Sequence, residues 1–296
     1  MKIIKNTSCI YKFEFGLKPI ATVKPGEIFQ IITNDCFDQQ VKTNEDIVSD
    51  IDFGRVNPAT GPIFIEGAEI GDTLKVEIID IEINDHGSIV VLPGAGVLGE
   101  QVTQPLTRIV SIEDDYVNFL GIKAPIDPMI GVIGVSPGKD QEGVVTGTPF
   151  NHGGNMDTTD IRKNTTLYFP VRETGAMFAL GDVHAIMGDG ELCVSGLEVE
   201  AKVTVKASLI KNKQLNWPLL ENETEYMIIG SGETLEKAIE VTATEMTQLV
   251  AETHQILWEE AYMYSSLFVD YRISQAVNPM KTVRAAVKKD LLPLKW

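Results

Sequence analysis

The chain is short of several residue types, and each shortage removes a class of function. Its 296 residues hold four histidines, three cysteines and three tryptophans. Cys9, Cys36 and Cys193 are too few and too scattered for a disulfide framework or a cysteine-based zinc site, so reduced thiols in a cytoplasmic setting are the expectation. Basic residues are also scarce: 25 Lys and Arg stand against 42 Asp and Glu, a formal charge of −17. Such a surface repels a phosphate backbone, and no Lys/Arg run offsets the repulsion, which excludes nucleic acid as a partner. No window approaches the roughly 18 apolar residues of a membrane helix. The first residues, MKIIKNTSCIYKFEFG, hold no apolar core of signal-peptide length, so no membrane partner is expected. A serine nucleophile on a G-x-S-x-G elbow is not expected either.

What is present fits an ordered protein. Hydrophobic residues make up 44% and charged residues 23%, enough apolar side chain to offset the entropy of ordering. The length suggests two or three subdomains.

Most of the chain reads as strand. In Asp72–Ile78, Leu74, Val76 and Ile78 alternate with Thr73, Lys75 and Glu77, and Glu198–Lys206 repeats the pattern with Val199, Ala201, Val203 and Val205 on one face. Further strands are expected at 28–33, 61–66, 88–91, 107–112, 117–119, 130–135 and 165–171, punctuated by Gly, Pro, Asn and Asp. From about residue 231 the period lengthens. SGETLEKAIEVTATEMTQLVAE predicts a helix capped at Ser231 or Gly232, with Leu235, Ile239, Thr242, Met246 and Leu249 on its apolar face. A second helix is predicted over Trp258–Phe268, followed by the strand-like VDYRISQAVN and TVRAAVKK. The expected architecture is mainly β, a β-rich body over 1–220 followed by an α+β C-terminal unit over 221–296. That order argues against a doubly wound parallel sheet.

Two stretches concentrate the scarce histidines with carboxylates and glycines: HGGNMDTTD (152–160) and GDVHAIMGDGE (181–191). Hard and borderline divalent metals take Asp, Glu and His side chains, and glycine lets backbone approach a ligand closely. Asp35, just after a predicted strand, offers another carboxylate. Glu198 begins the polar face of its strand, seven residues after Glu191. No spacing here is a known short zinc signature, and Asp and Asn also serve as ordinary turn residues. His86 reads as a solvated hairpin tip, and His254 as a structural residue on a helix. Cys193 reads as buried, and the thiol of Cys36 is disfavoured as a nucleophile by the negative charge of adjacent Asp35.

Four segments resemble the acetamidase/formamidase family: NPATGPIFIEGAEIGDTLKVEI (57–78), GVIGVSPG (131–138), the run from His152 to Glu200, and DYRISQAVNP (270–279). The likeness extends from about residue 30 to about residue 290. It implies a jelly-roll-like β-sandwich with smaller β and α+β parts, assembled as a homodimer or larger. It also implies hydrolysis of a short amide such as formamide or acetamide, with a divalent metal, zinc or calcium, as cofactor. The metal ligands it suggests are Asp35, His152, Asp157, His184 and Glu198. Glu191 or Glu198 would shuttle the proton. Asn155, with the backbone N–H groups of Gly153 and Gly154, would meet the oxyanion. Two alternatives stand beside it: a non-catalytic, metal-stabilised β-sandwich that binds a small ligand, and a hydrolase of a different amide or a lactam.

Overall fold

The protein is described here from a computed structural model of residues 1–295. The alternating apolar residues become strands where the pattern places them. Leu74, Val76 and Ile78 are fully buried on the strand Thr73–Ile83. That strand lies antiparallel to Ala201–Ile210, with Val205 opposite Ile78 and Val203 opposite Ile81. Ile28–Thr33 pairs along the other edge of Ala201–Ile210. These three strands lie toward one edge of a nine-stranded sheet, next to the edge strand Lys2–Ile4.

The same sheet continues outward through Thr166–Pro170, Leu219–Glu221, Glu225–Gly232, Lys281–Lys288 and Asp270–Gln275. The C-terminal strands therefore extend the sheet of the body. Helix α1 (Leu235–His254) and helix α2 (Trp258–Phe268) lie against that extension, where Met246, Val250 and Ala261 pack with Ile228, Ala285 and Val287.

Helix α1 starts later than its sequence suggested. The N-cap is Thr234, whose side chain accepts from the Lys237 N–H at 3.3 Å. Ser231 and Gly232 instead finish the strand Glu225–Gly232, paired with Thr282 and Lys281. A β-ladder satisfies their backbone groups better than a frayed helix end. The buried face is accordingly Ala238, Thr242, Met246, Thr247 and Val250, while Ile239 is 41% exposed.

A second, eleven-stranded sheet packs on the first. One apolar core holds Phe29, Ile31, Leu74 and Val76 from the nine-stranded sheet with Ile63, Ile130, Phe178 and Leu180 from the other. The mainly β class with a C-terminal α+β part is thus the class observed. The second sheet has a fork. Phe178–His184 runs beside Met129–Gly134 on one edge. On its other edge it pairs first with Ala59–Ile65 and then, at Val183 and His184, with Glu198–Val199. Asp182, at the change of partner, has φ 55°. No helix among the described residues is long and apolar enough to cross a membrane.

Candidate active site

The fork brings distant residues to one point. His184 ends its strand directly opposite Glu198. Its Nε2 lies 3.1 Å from Glu198 Oε2 and 3.4 Å from Asp182 Oδ1. Asp157 enters from the loop after the strand Gly153–Asn155, and Glu191 from the loop after His184. One ligand atom each from Asp157, His184 and Glu191 falls within a sphere of contact of 4.8 Å, and so does one each from Cys36, Asp182 and Glu198. Gly131 makes the convergence possible. A Cβ there would meet Asp157 Oδ1 and would sit 2.6 Å from Asp182 Oδ2.

Three of these carboxylates ride on left-handed backbone: φ is 41° at Asp157, 55° at Asp182 and 49° at Glu191. Each such conformation costs about 1–3 kcal/mol unless its surroundings impose it, and such strain gathers at functional sites. Here the surroundings are visible. Asn278 donates to Asp157 Oδ2 at 2.6 Å and to the Asn155 carbonyl at 3.1 Å. Buried Arg284 donates to Asp160 at 2.7 Å and to Asp189 at 2.7 Å, tying both motif stretches to the strand Lys281–Lys288. Gly190 exchanges backbone bonds with Ser274 and Ala276. The C-terminal extension of the sheet therefore holds the site loops in place.

Four buried carboxylates facing one imidazole is an unfavourable charge distribution on its own. Burial, reinforced by Asp182, pushes Asp157 up to about 7. Burial and then the charge of Asp157 push Glu191 well above the usual carboxylate range. Burial also raises Glu198, against the pull of His184. For His184 burial acts downward, but Glu198 and Asp182 outweigh it and hold the imidazole well above its ordinary value. The cluster thus demands positive charge, from protons or from a cation.

The polar atoms indicate a cation. Asp157 Oδ1, Asp182 Oδ1, Glu191 Oε2, Glu198 Oε2 and both nitrogens of His184 are buried without a hydrogen-bond partner among the described residues. His184 and Glu198 come to 3.1 Å without hydrogen-bond alignment, as groups do when both aim at a third centre. Ligand atoms about 2.0–2.1 Å from a tetrahedral ion stand roughly 3.3 Å apart, close to the spacings here. The residues fit a divalent metal ion.

The other expected site residues belong to neither ligand group. His152 is fully buried but belongs to neither ligand group; its ring lies 5.0 Å from that of Phe13. Asp35 also stands outside the groups, its carboxylate closing a turn by accepting from the N–H groups of Phe37 and Gln39. Its neighbour Cys36 is the residue that reaches the cluster. Asn155 is buried on the strand that leads to Asp157, with Oδ1 unpaired. The Gly153 N–H donates to the Phe150 carbonyl and is not free for an oxyanion. His86 is exposed at a hairpin end beside Asp85, and His254 is exposed on α1, bonded to the Leu291 carbonyl.

Asp182, Cys36 and Asn278 enter the site without having been named as ligands or positioning residues. Asp182 had a local signal, since residues two apart on a strand share a face and His184 follows it by two. Cys36 and Asn278 had none. The Cys36 thiol is pushed well above its usual value by burial and by the nearby carboxylates, so it is no nucleophile. One serine does carry the elbow spacing. Gly134, Ser136 and Gly138 do make a G-x-S-x-G spacing. It follows the strand Met129–Gly134 but leads into no helix, and the buried Ser136 hydroxyl accepts from the Gly138 N–H, so it forms no nucleophile elbow.

The fold is shared with known proteins. A crystal structure of an acetamidase from Bacillus halodurans is 40% identical, with a TM-score of 0.95 over 99% of this chain and 100% of that one. A predicted acetamidase/formamidase from Thermoanaerobacter tengcongensis is 39% identical, with a TM-score of 0.96 over 100% of this chain and 99% of that one. The formamidase of Methylophilus methylotrophus is 27% identical over 259 residues, 66% of this chain and 62% of that one. The chain spans somewhat under two thirds of the length of the curated relatives it matches. The family pattern itself matches residues 5–141 and 139–280, and on that match the chain belongs to the acetamidase/formamidase family.

Proposed function

We propose that the protein hydrolyses linear amides, with formamide and acetamide the reference substrates, to the carboxylate and ammonia. Asp157, Asp182, His184 and Glu198 hold a divalent ion of the zinc type, and Glu191 shuttles the proton. The observation that carries this reading is the set of buried ligand atoms, without hydrogen-bond partners, in two adjoining groups around His184. When bound, the ion supplies Lewis-acid polarisation of the amide carbonyl and a lowered pKa for a water molecule.

The chain's own residues do the rest. Glu198 and Asp182 face the Nε2 side of His184, and the absence of a side chain at Gly196 leaves room for its Nδ1 edge. Glu191 sits on the loop between Ala185 and Leu197, whose ends are pinned by the Ala185 N–H on the Leu197 carbonyl at 2.8 Å. Its place beside His184 and Asp157 suits a group that accepts a proton from water and gives it to the departing nitrogen, which leaves poorly unless protonated. Asn155 stands two residues before Asp157 with a buried amide, and is the side chain available to orient the carbonyl oxygen.

A homodimer or larger assembly belongs to the same reading. Its support is helix α2, which leaves Trp258, Tyr262, Met263 and Leu267 exposed together; sedimentation measures the assembly.

The test combines elemental analysis with ammonia release on one preparation. Near-stoichiometric zinc is expected. Glu191→Gln keeps the side-chain shape and should retain the metal while kcat falls by ~10²–10⁴. Full activity in metal-free protein, or in Glu191→Gln, would refute the assignment.

A further inference from the structure

Glu191 Oε2 is buried without a hydrogen-bond partner among the described residues, and the backbone at Glu191 is left-handed, with φ 49°. Its carboxylate is therefore placed by whatever holds the loop between Ala185 and Leu197. The backbone bonds of Glu191 stay inside that loop: its N–H donates to the Gly188 carbonyl at 3.2 Å, and its carbonyl accepts from the Val194 N–H at 2.9 Å. Ties to the rest of the protein come just before it. The Gly190 N–H donates to the Ser274 carbonyl at 2.8 Å, and the Gly190 carbonyl accepts from the Ala276 N–H at 3.0 Å. Asp189 supplies the side-chain tie. One of its carboxylate oxygens accepts from the Thr159 hydroxyl at 2.8 Å, the other from Arg284 Nη2 at 2.7 Å.

These partners are themselves fixed. The Arg284 side chain is 4% exposed, and its other nitrogens reach Asp160 at 2.7 Å and the Ile273 carbonyl at 3.0 Å. The Thr158 hydroxyl donates to that of Ser274 at 2.9 Å. Thr159 and Asp160 lie just after Asp157 in the chain, so one guanidinium joins the loop of Asp157 to the loop of Glu191. Asp189 itself is 45% exposed, and Arg284 keeps Asp160 as a partner if Asp189 is lost. A half-exposed carboxylate of this kind adds little to stability. What it does fix is the direction of the chain two residues before the buried Glu191.

We propose that Asp189 is a positioning residue for the proton transfer: hooked by Thr159 and Arg284, it sets the loop that presents Glu191 to Asp157 and His184. This rests on Glu191 as the shuttle of an amide hydrolase and adds the residue that aims it. Misplacing a reacting group by about 1 Å costs up to about a hundredfold in rate, and amide binding need not change with it.

The experiment compares Asp189→Ala, Glu191→Gln and the variant carrying both, by ammonia release from acetamide, metal content and hydrogen exchange. Asp189→Ala should keep its metal, hold KM within about twofold and lose about tenfold or more in kcat. Beside Glu191→Gln the same change should cost less than about twofold, because the hook then has no shuttle to aim. Thr159→Val removes one donor to Asp189 and keeps the test open if Asp189→Ala misfolds; its loss in kcat should likewise vanish beside Glu191→Gln. Metal loss in Asp189→Ala, a fall in kcat below about tenfold, or a loss above about twofold beside Glu191→Gln overturns the hook and leaves amide hydrolysis standing. If no amide releases ammonia, or Glu191→Gln is fully active, the hydrolase or shuttle reading fails instead, and hydrogen exchange at the Gly190 and Glu191 amides decides whether Asp189 sets this loop. Exchange about tenfold faster in folded Asp189→Ala supports it, and unchanged exchange overturns it.

Discussion

His152 and His184 come from motifs of nearly the same composition, end up equally buried, and are driven in opposite directions. Burial, helped by the charge of Arg172, pushes His152 down to about 3. His184, equally desolvated, is held well above its ordinary value because Glu198 and Asp182 face it. His152 instead has the Phe13 ring beside it. Burial alone therefore does not say what a histidine does. The sign of the nearest charges decides whether the site keeps the ring neutral or turns it toward a cation.

The widest separation between the two should appear on mutation. His184→Gln is expected to lose bound metal and about a thousandfold in ammonia release, a barrier change of ~4 kcal/mol. His152→Phe should keep its metal. Equal metal loss in both variants, by elemental analysis of folded protein, would erase the distinction. The next effect concerns the support for the His184 side. Arg284→Gln removes the cation that joins Asp160 to Asp189, and breaking a buried pair of this kind costs about 3 kcal/mol. A melting temperature within a degree of wild type would show that the two loops hold themselves.

A smaller effect separates the histidines by pH. His152 binds its proton in the unfolded chain below about 6.5 but in the folded chain only near 3, so stability is present above that window and is lost as pH falls through it. In denaturant titrations from pH 6.5 to pH 4, His152→Phe should lose less stability than wild type. The difference should approach but not exceed about 1.4 kcal/mol per pH unit. Parallel curves would mean that His152 is protonated in the fold. The smallest effect is expected at sulfur. Cys36→Ala should leave kcat within about tenfold, ~1.4 kcal/mol, because the thiol is disfavoured as a thiolate. A loss of several orders of magnitude in folded protein would make Cys36 part of the chemistry.

Much of the fold was legible residue by residue. Period-two alternation located Thr73–Ile83 and Ala201–Ile210, and the change of period located both helices. Helix α1 lost its first turn because Ser231 and Gly232 had a competing partner strand more than forty residues away in sequence, which no local pattern reveals. The site divides in the same way. His184, Glu198, Asp157 and Glu191 were nameable because they lie in motif stretches rich in ligand chemistry. Asp35 offered a carboxylate just after a predicted strand, but the turn it closes places its neighbour Cys36 against the cluster.

By itself the sequence determined what is set by nearest neighbours along the chain: strand and helix periods, an acidic surface, and a small stock of ligating side chains in two glycine-rich stretches. Only the tertiary structure decided which members of that stock meet. The meeting point is a fork in a sheet, where the strand Phe178–His184 changes partner from Ala59–Ile65 to Glu198–Val199 and where Asp157, Asp182 and Glu191 turn inward on left-handed backbone. Pairing register couples residues far apart in sequence. Two histidines in look-alike segments are therefore sorted by the strands beside them, one toward carboxylates and the other toward an aromatic wall.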